Sequence, residues 1–282
     1  MIRHFFLDKT NTLVKGSKMN TGLNPVMSLS YGKEISRGII HFDEKQILAL
    51  VDDKSISDLD KLYVNLKMTN AFSVDGLPYE KTIFHEANTL SQRAASFDII
   101  AFKLPQDFDE GRGFDFAADF WVNNNRSFNT HGATWYFAQD GKVWDIDKDK
   151  IDLTNPNLNM NDDNIYILEN NVRHKIQLEG GIYPMEFIEE QIEHFNAGED
   201  SIIIARQHFD FGNENMNLCI TNYIKDIING EYNYGIGLMF APSFEKMEMS
   251  LNQYVGFFTD HTNTFFHPYI ELIYDEPIKD DR

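Results

Sequence analysis

Cysteine is almost absent: Cys219 is the only one in 282 residues. A disulfide scaffold and a cysteine-based zinc site are therefore excluded. Basic residues are also scarce, with 25 Lys and Arg against 44 Asp and Glu, giving a net charge of −19. Neutralising phosphates, whether of nucleic acid or of an anionic membrane surface, takes clustered Lys and Arg, so neither partner is expected. No apolar run approaches the ~18 residues of a membrane-spanning helix. The opening Met1-Ile2-Arg3-His4-Phe5-Phe6-Leu7-Asp8 is too short for the apolar region of a signal peptide, which predicts a protein made and used without secretory export.

Complete catalytic motifs are missing as well. There is no Gly-x-Ser-x-Gly elbow, Walker loop or dinucleotide fingerprint, and Gly235-Ile236-Gly237 lacks both the third glycine and a following helix. None of the nine histidines forms a His-x-His or His-x3-His pair. His261 and His267, which flank Asn263-Thr264-Phe265-Phe266, read as structural or surface residues. Asp145-Ile146-Asp147-Lys148-Asp149 begins like a calcium loop, but Lys150 and Pro156 stand where Gly and Glu are required. The stretch reads as a solvated acidic loop. Asp107, Asp109 and Glu110 precede Gly111-Arg112-Gly113, with Asp115 and Asp119 beyond. Two of these carboxylates would do glycosidase chemistry only if a cleft held them at a suitable separation. An acidic loop with Arg112 as its internal partner accounts for the same residues. Cys219, inside the apolar Leu218-Cys219-Ile220, reads as a buried inert thiol. The expectation is no catalytic, cofactor-binding or metal-ligating residue, and no cofactor.

What the chain does have is aromatics and asparagine: 23 Phe, 12 Tyr and 26 Asn. Aromatics suit a pleated, half-buried surface, and Asn suits turns because it tolerates left-handed backbone. Strands are predicted at Val26–Tyr31, Arg37–Phe42, Lys61–Thr69, Ser96–Lys103, Thr134–Gln139, Ile165–Leu168, Lys175–Glu179, Ser201–Phe209, Tyr234–Phe240, Tyr254–Phe258 and Tyr269–Tyr274. In Leu62–Met68 the even positions form one apolar face. Gln139-Asp140-Gly141-Lys142 reads as a hairpin turn. Three short helices are predicted: one capped by Asp43 and running through Val51, Met185–Asn196 after Pro184, and Asn222–Asn229 capped by Thr221. The fold class is all-β with a few short helices, in one domain over residues 1–282. Val26–Tyr31 and Tyr269–Tyr274 are expected to share a sheet. The aromatic clusters Phe120-Trp121 and Trp135-Tyr136-Phe137 suit core or subunit-interface packing better than sugar stacking.

The order of segments carries a family resemblance. Asp8-Lys9-Thr10-Asn11-Thr12 leads through Asn20-Thr21-Gly22 to Val26–Gly32 and then to Ser36-Arg37-Gly38-Ile39-Ile40-His41-Phe42-Asp43. Ile220–Gly230 runs into Asn233-Tyr234-Gly235-Ile236-Gly237-Leu238, and Pro268–Tyr274 closes the series. The Arg-x-x-Ile-x-Phe-Asp strand, the short helix ending in Asn-Gly, the Asn-Tyr-Gly strand start and the turn Asp109-Glu110-Gly111 together resemble the DNRLRE-type β-sandwich. That family implies a jelly-roll-like fold. The resemblance covers roughly Asp8–Ala117 and Leu218–Tyr274, leaving about 118–200 as a long central insertion. This insertion, with Trp121, Trp135 and Trp144, is expected to be the part that contacts assembly partners.

The Asn-rich, acidic, cysteine-poor character and the Tyr254–Asp260 and Asn263–Tyr269 segments are similar to virion structural proteins of crAss-like bacteriophages. That resemblance implies a non-enzymatic neck, collar or tail protein, assembled in the host cytoplasm as a ring of its own copies beside neighbouring virion proteins. A carbohydrate-binding β-sandwich module is the alternative. A polysaccharide-degrading enzyme using the carboxylates of Asp107–Asp119 is the third reading.

Overall fold

Short apolar runs broken by Gly, Asn and Asp favour strands over long helices, and the computed structural model is a β-sandwich with a few short helices. It describes residues 1–17, 20–56, 58–71, 91–113, 131–151, 155–161 and 164–275. Asp115, Asp119, Phe120, Trp121 and Asn123–Asn125 lie outside the described residues.

The smaller sheet has the order β1 (Ile2–Phe6), β17 (Tyr269–Ile273), β5 (Tyr63–Met68), β14 (Met216–Cys219). The larger runs β13 (Ile203–Phe209), β7 (Phe97–Lys103), β15 (Ile236–Phe240), β4 (Ser36–His41), β3 (Val26–Gly32), β16 (Asn252–Phe258), β6 (Ser91–Arg93). Strand β2 (Lys9–Val14) also pairs with β4. Pairing is antiparallel except between β16 and β6. The main core lies between the sheets, where Leu29, Ile40, Ile99, Leu238 and Phe257 meet Val64, Leu66, Leu218, Ile270 and Leu272. The alternation read in Leu62–Met68 is realised, with Leu62, Val64, Leu66 and Met68 all buried.

The larger sheet is covered on both faces. Ile39, Ile100, Phe102, Ile203 and Met239 point away from the main core, into a second one completed by Trp135, Trp144, Ile182 and Ile188. Strands covered on both faces need no polar alternation, which accounts for the unbroken apolar run Ile99-Ile100-Ala101-Phe102. The covering segment contains the hairpin β8 (Phe137–Gln139) and β9 (Lys142–Val143), closed at Gly141 with φ +67°. After it come a 3₁₀ turn at Asp145–Lys150 and a three-stranded sheet, β10 (Leu158–Asn161), β11 (Asn164–Glu169) and β12 (Val172–Lys175). The strand expected at Lys175–Glu179 thus sits earlier. Asn170 and Asn171, both at positive φ, close the β11–β12 hairpin there, as Asn is suited to do.

The helices follow their local signals with adjustments. Helix α1 (Lys45–Asp52) starts where the Asp43 carboxylate accepts the Lys45 N–H at 3.2 Å. Helix α2 (Met185–Ala197) follows Pro184 and ends at Gly198, φ +73°, whose N–H donates to the Phe195 carbonyl. Helix α3 (Thr221–Ile228) buries Tyr223, Ile224 and Ile227. Thr221 does not cap it. Its hydroxyl instead accepts the Val64 N–H at 2.8 Å and ties the helix to β5. A short α4 (Pro242–Glu245) packs near β3.

Val26–Tyr31 and Tyr269–Tyr274 do not share a sheet; they face each other across the core. The strand that joins the chain ends is β1, paired with β17 from Ile2↔Ile273 to Phe6↔Tyr269. Among the described residues no helix is long and apolar enough to cross a membrane.

Candidate functional site

At one end of the sandwich three segments distant in sequence converge. They are the start of β2, the loop after β7 at residues 104–113, and the turn after β16 at residues 259–262. Asn20 organises the first two. Its Oδ1 accepts from Gly22 and Gly113 N–H at 3.1 and 2.8 Å, and its Nδ2 donates to the Glu110 and Ala133 carbonyls at 2.7 and 2.8 Å. Asn11 Nδ2 donates to the same two carbonyls at 3.2 and 3.0 Å. A buried amide with all its hydrogen bonds made is a rigid clamp. The loops pass so closely that a Cβ on Gly113 would lie 1.8 Å from the Asn20 carbonyl oxygen, and one on Gly22 would lie 2.1 Å from that of Glu110. These two glycines are required by backbone proximity.

The clamp sets Glu110 beside Asp260 and His261. Thr10 is fully buried and holds both carboxylates: its N–H donates to Glu110 Oε1 at 2.7 Å and its hydroxyl to Asp260 Oδ1 at 2.6 Å. His261 is set by its own N–H, which donates to the Thr259 hydroxyl at 3.2 Å. His261 Nε2 lies 3.2 Å from Glu110 Oε1 and 3.4 Å from Asp260 Oδ2. Nε2 is buried, yet it is aligned with neither oxygen as a hydrogen bond. Burial pushes the Glu110 carboxyl up to about 7; the Asp260 charge acts in the same direction, against the Thr10 N–H and His261.

Several other residues singled out from sequence have structural partners among the described residues. Asp107 pairs with Lys9 at 3.0 Å, and the Asp109 carboxylate accepts the Gly111 N–H at 3.1 Å. Glu110 is paired with His261, from the far end of the chain, in place of the expected Arg112. Asp147 is not in a solvated loop: it is fully buried and accepts from the Glu179 and Gly180 N–H groups at 3.0 and 2.8 Å. Cys219 is exposed rather than buried, because Met216 and Leu218 take the inward positions of β14. Trp135 and Trp144 are buried against the larger sheet and are not available as partner anchors. No sequence spacing links Glu110 to His261, so the cluster carried no local signal.

A concavity of about 510 Å³ lies between the insertion and the sandwich and is lined by Arg37, Trp135, Tyr183, Glu186, Glu245 and Lys246. Its floor is charge-balanced, since Arg37 and Glu245 pair at 2.8 Å and both are buried. No protein-family model matches the chain, and no curated protein sequence matches it.

Proposed function

We propose that this chain is a non-enzymatic structural subunit of a bacteriophage virion of the crAss-like group, placed in the neck, collar or tail. In this reading it forms a ring with its own copies and contacts neighbouring virion proteins. It is assembled in the host cytoplasm and uses neither a cofactor nor a specific nucleic-acid contact.

The observation that carries the reading is the open edge of the smaller sheet. Among the described residues β1 pairs only with β17, and it leaves Ile2 and Phe6 exposed. Phe6 lies 6.1 Å from the His267 ring and 6.4 Å from that of Tyr269. The exposed Phe265 and Phe266 stand 4.6 Å apart in the adjoining loop. An exposed strand edge is a template for pairing, and a protein that works alone blunts it. Aromatics concentrate where subunits meet. A ring needs a heterologous contact whose rotation closes, and an edge strand provides a directional one. The resemblance of Tyr254–Asp260 and Asn263–Tyr269 to virion structural proteins supports the same reading. The charge of −19 suits a wall along which DNA slides without sticking.

The test is light scattering of the purified chain beside electron microscopy of the assembled particle. A ring subunit gives a discrete oligomer that Phe6→Lys disrupts. A wild-type chain that stays monomeric and is missing from purified particles contradicts the proposal.

One observation favours the glycan-binding alternative. Tyr232 and Tyr234 are stacked at 5.6 Å and 11°, and Tyr232 is 79% exposed. A glycan-array signal abolished by Tyr232→Ala would replace the structural reading with that one.

A further inference from the structure

Among the described residues, one group of three or more metal-ligating side chains converges: Glu110, Asp260 and His261 each present a ligand atom, all within 4.8 Å of one another. Neither carboxylate has a Lys or Arg partner among the described residues; Lys9, the cation of the adjoining strand, is engaged by Asp107 and the Phe108 carbonyl. Thr10 fixes one oxygen of each carboxylate, as the supporting hydrogen bonds of a metal site do.

The position of His261 Nε2 is the telling feature. This buried nitrogen faces both carboxylates and has no hydrogen-bond partner. A cation seated among the three side chains would be held by Nε2 and one oxygen of each carboxylate. The spacings fit such a cation. Ligands bound at about 2.0–2.2 Å lie roughly 2.8–3.6 Å from one another in octahedral or tetrahedral arrangements. The nitrogen-to-oxygen separations here are 3.2 and 3.4 Å. An imidazole ligand selects against the hard cations Mg²⁺ and Ca²⁺, which take oxygen ligands.

We propose that Glu110, Asp260 and His261 bind a divalent transition-metal ion of the zinc class, which cross-links the loop after β7 to the segment carrying Phe265 and Phe266. The ion fastens two loops that otherwise meet through hydrogen bonds from Thr10, and so fixes the base of the exposed aromatic pair.

The test uses the full chain after EDTA treatment and dialysis, titrated with ZnCl₂ by calorimetry and by thermal unfolding, with MgCl₂ and CaCl₂ as controls. Zinc should bind one ion per chain and raise the Tm, while magnesium and calcium should not. His261→Ala and Glu110→Gln should each weaken zinc binding at least tenfold. His208→Ala, at an exposed histidine beside Asp98 and Asp210, should leave it unchanged. Cobalt substitution should give a visible absorption band that His261→Ala removes. The wild-type titration decides the matter even if a variant fails to fold: absence of saturable zinc binding overturns the proposal. Zinc binding that survives in both Glu110→Gln and His261→Ala places the ion elsewhere and overturns it equally.

Discussion

Arg37 and Glu245, 208 residues apart, form a two-pronged ion pair sealed from solvent: Nη2 lies 2.8 Å from Oε2 and Nε lies 3.2 Å from Oε1. Arg37 Nη1 also donates to the Gly181 carbonyl, and the guanidinium sits 5.3 Å from the Trp135 ring centroid. One side chain thereby joins the larger sheet, α4 and the covering insertion. Breaking such a pair leaves a buried charge without compensation, so Glu245→Ala should cost about 3–5 kcal/mol in chemical unfolding. Replacing both partners by apolar residues, Arg37→Met with Glu245→Leu, should cost less than either single truncation. A double variant as unstable as the sum of the singles would contradict this account.

The insertion is part of the core. Replacing residues 118–200 by a flexible linker would uncover Ile39, Ile100, Phe102 and Met239 on the larger sheet. The expected outcome is an insoluble or molten product, read by dye binding to exposed apolar surface and by loss of near-ultraviolet dichroism. A deletion variant with cooperative unfolding would show that the sandwich stands without its cover.

Asp98 makes acid stability measurable at one place. Burial pushes its carboxyl up, but hydrogen bonds and charge from Arg206, at 2.6 Å, and His208, at 3.0 Å, outweigh burial and hold it below the ordinary value of 3.8. A carboxyl whose folded pKa is depressed contributes stability above its unfolded pKa and loses it as pH falls through the folded one. Asp98→Asn should therefore be less stable than wild type near neutrality, and the gap should close as pH drops below 3.8. Urea unfolding at a series of pH values checks this; a gap that widens on acidification contradicts it.

Cys219 is exposed on the outward side of β14. The native chain should react with one equivalent of a thiol reagent without denaturant, at the rate of a free surface thiol. Protection until unfolding would mean that β14 has the opposite phase, or that a partner covers it.

Fold class and helix positions were legible because their signals are local. A two-residue period in Leu62–Met68 sets which side chains share a face, Gly198 supplies a left-handed exit, and Asp140-Gly141 closes a hairpin; each rests on backbone preferences within a few residues. β1 was less legible, since its side chains alternate no clear apolar face. Cys219 illustrates the limit: in Leu218-Cys219-Ile220 the letters are all apolar, and one position of phase decides inside from outside. The pairing of Arg37 with Glu245, the burial of Trp135 and Trp144, and the meeting of Glu110 with His261 were settled only in three dimensions. Local preference sets what each strand is. Which strands become neighbours is fixed by burying apolar faces across the whole chain, and no spacing along the sequence records that choice.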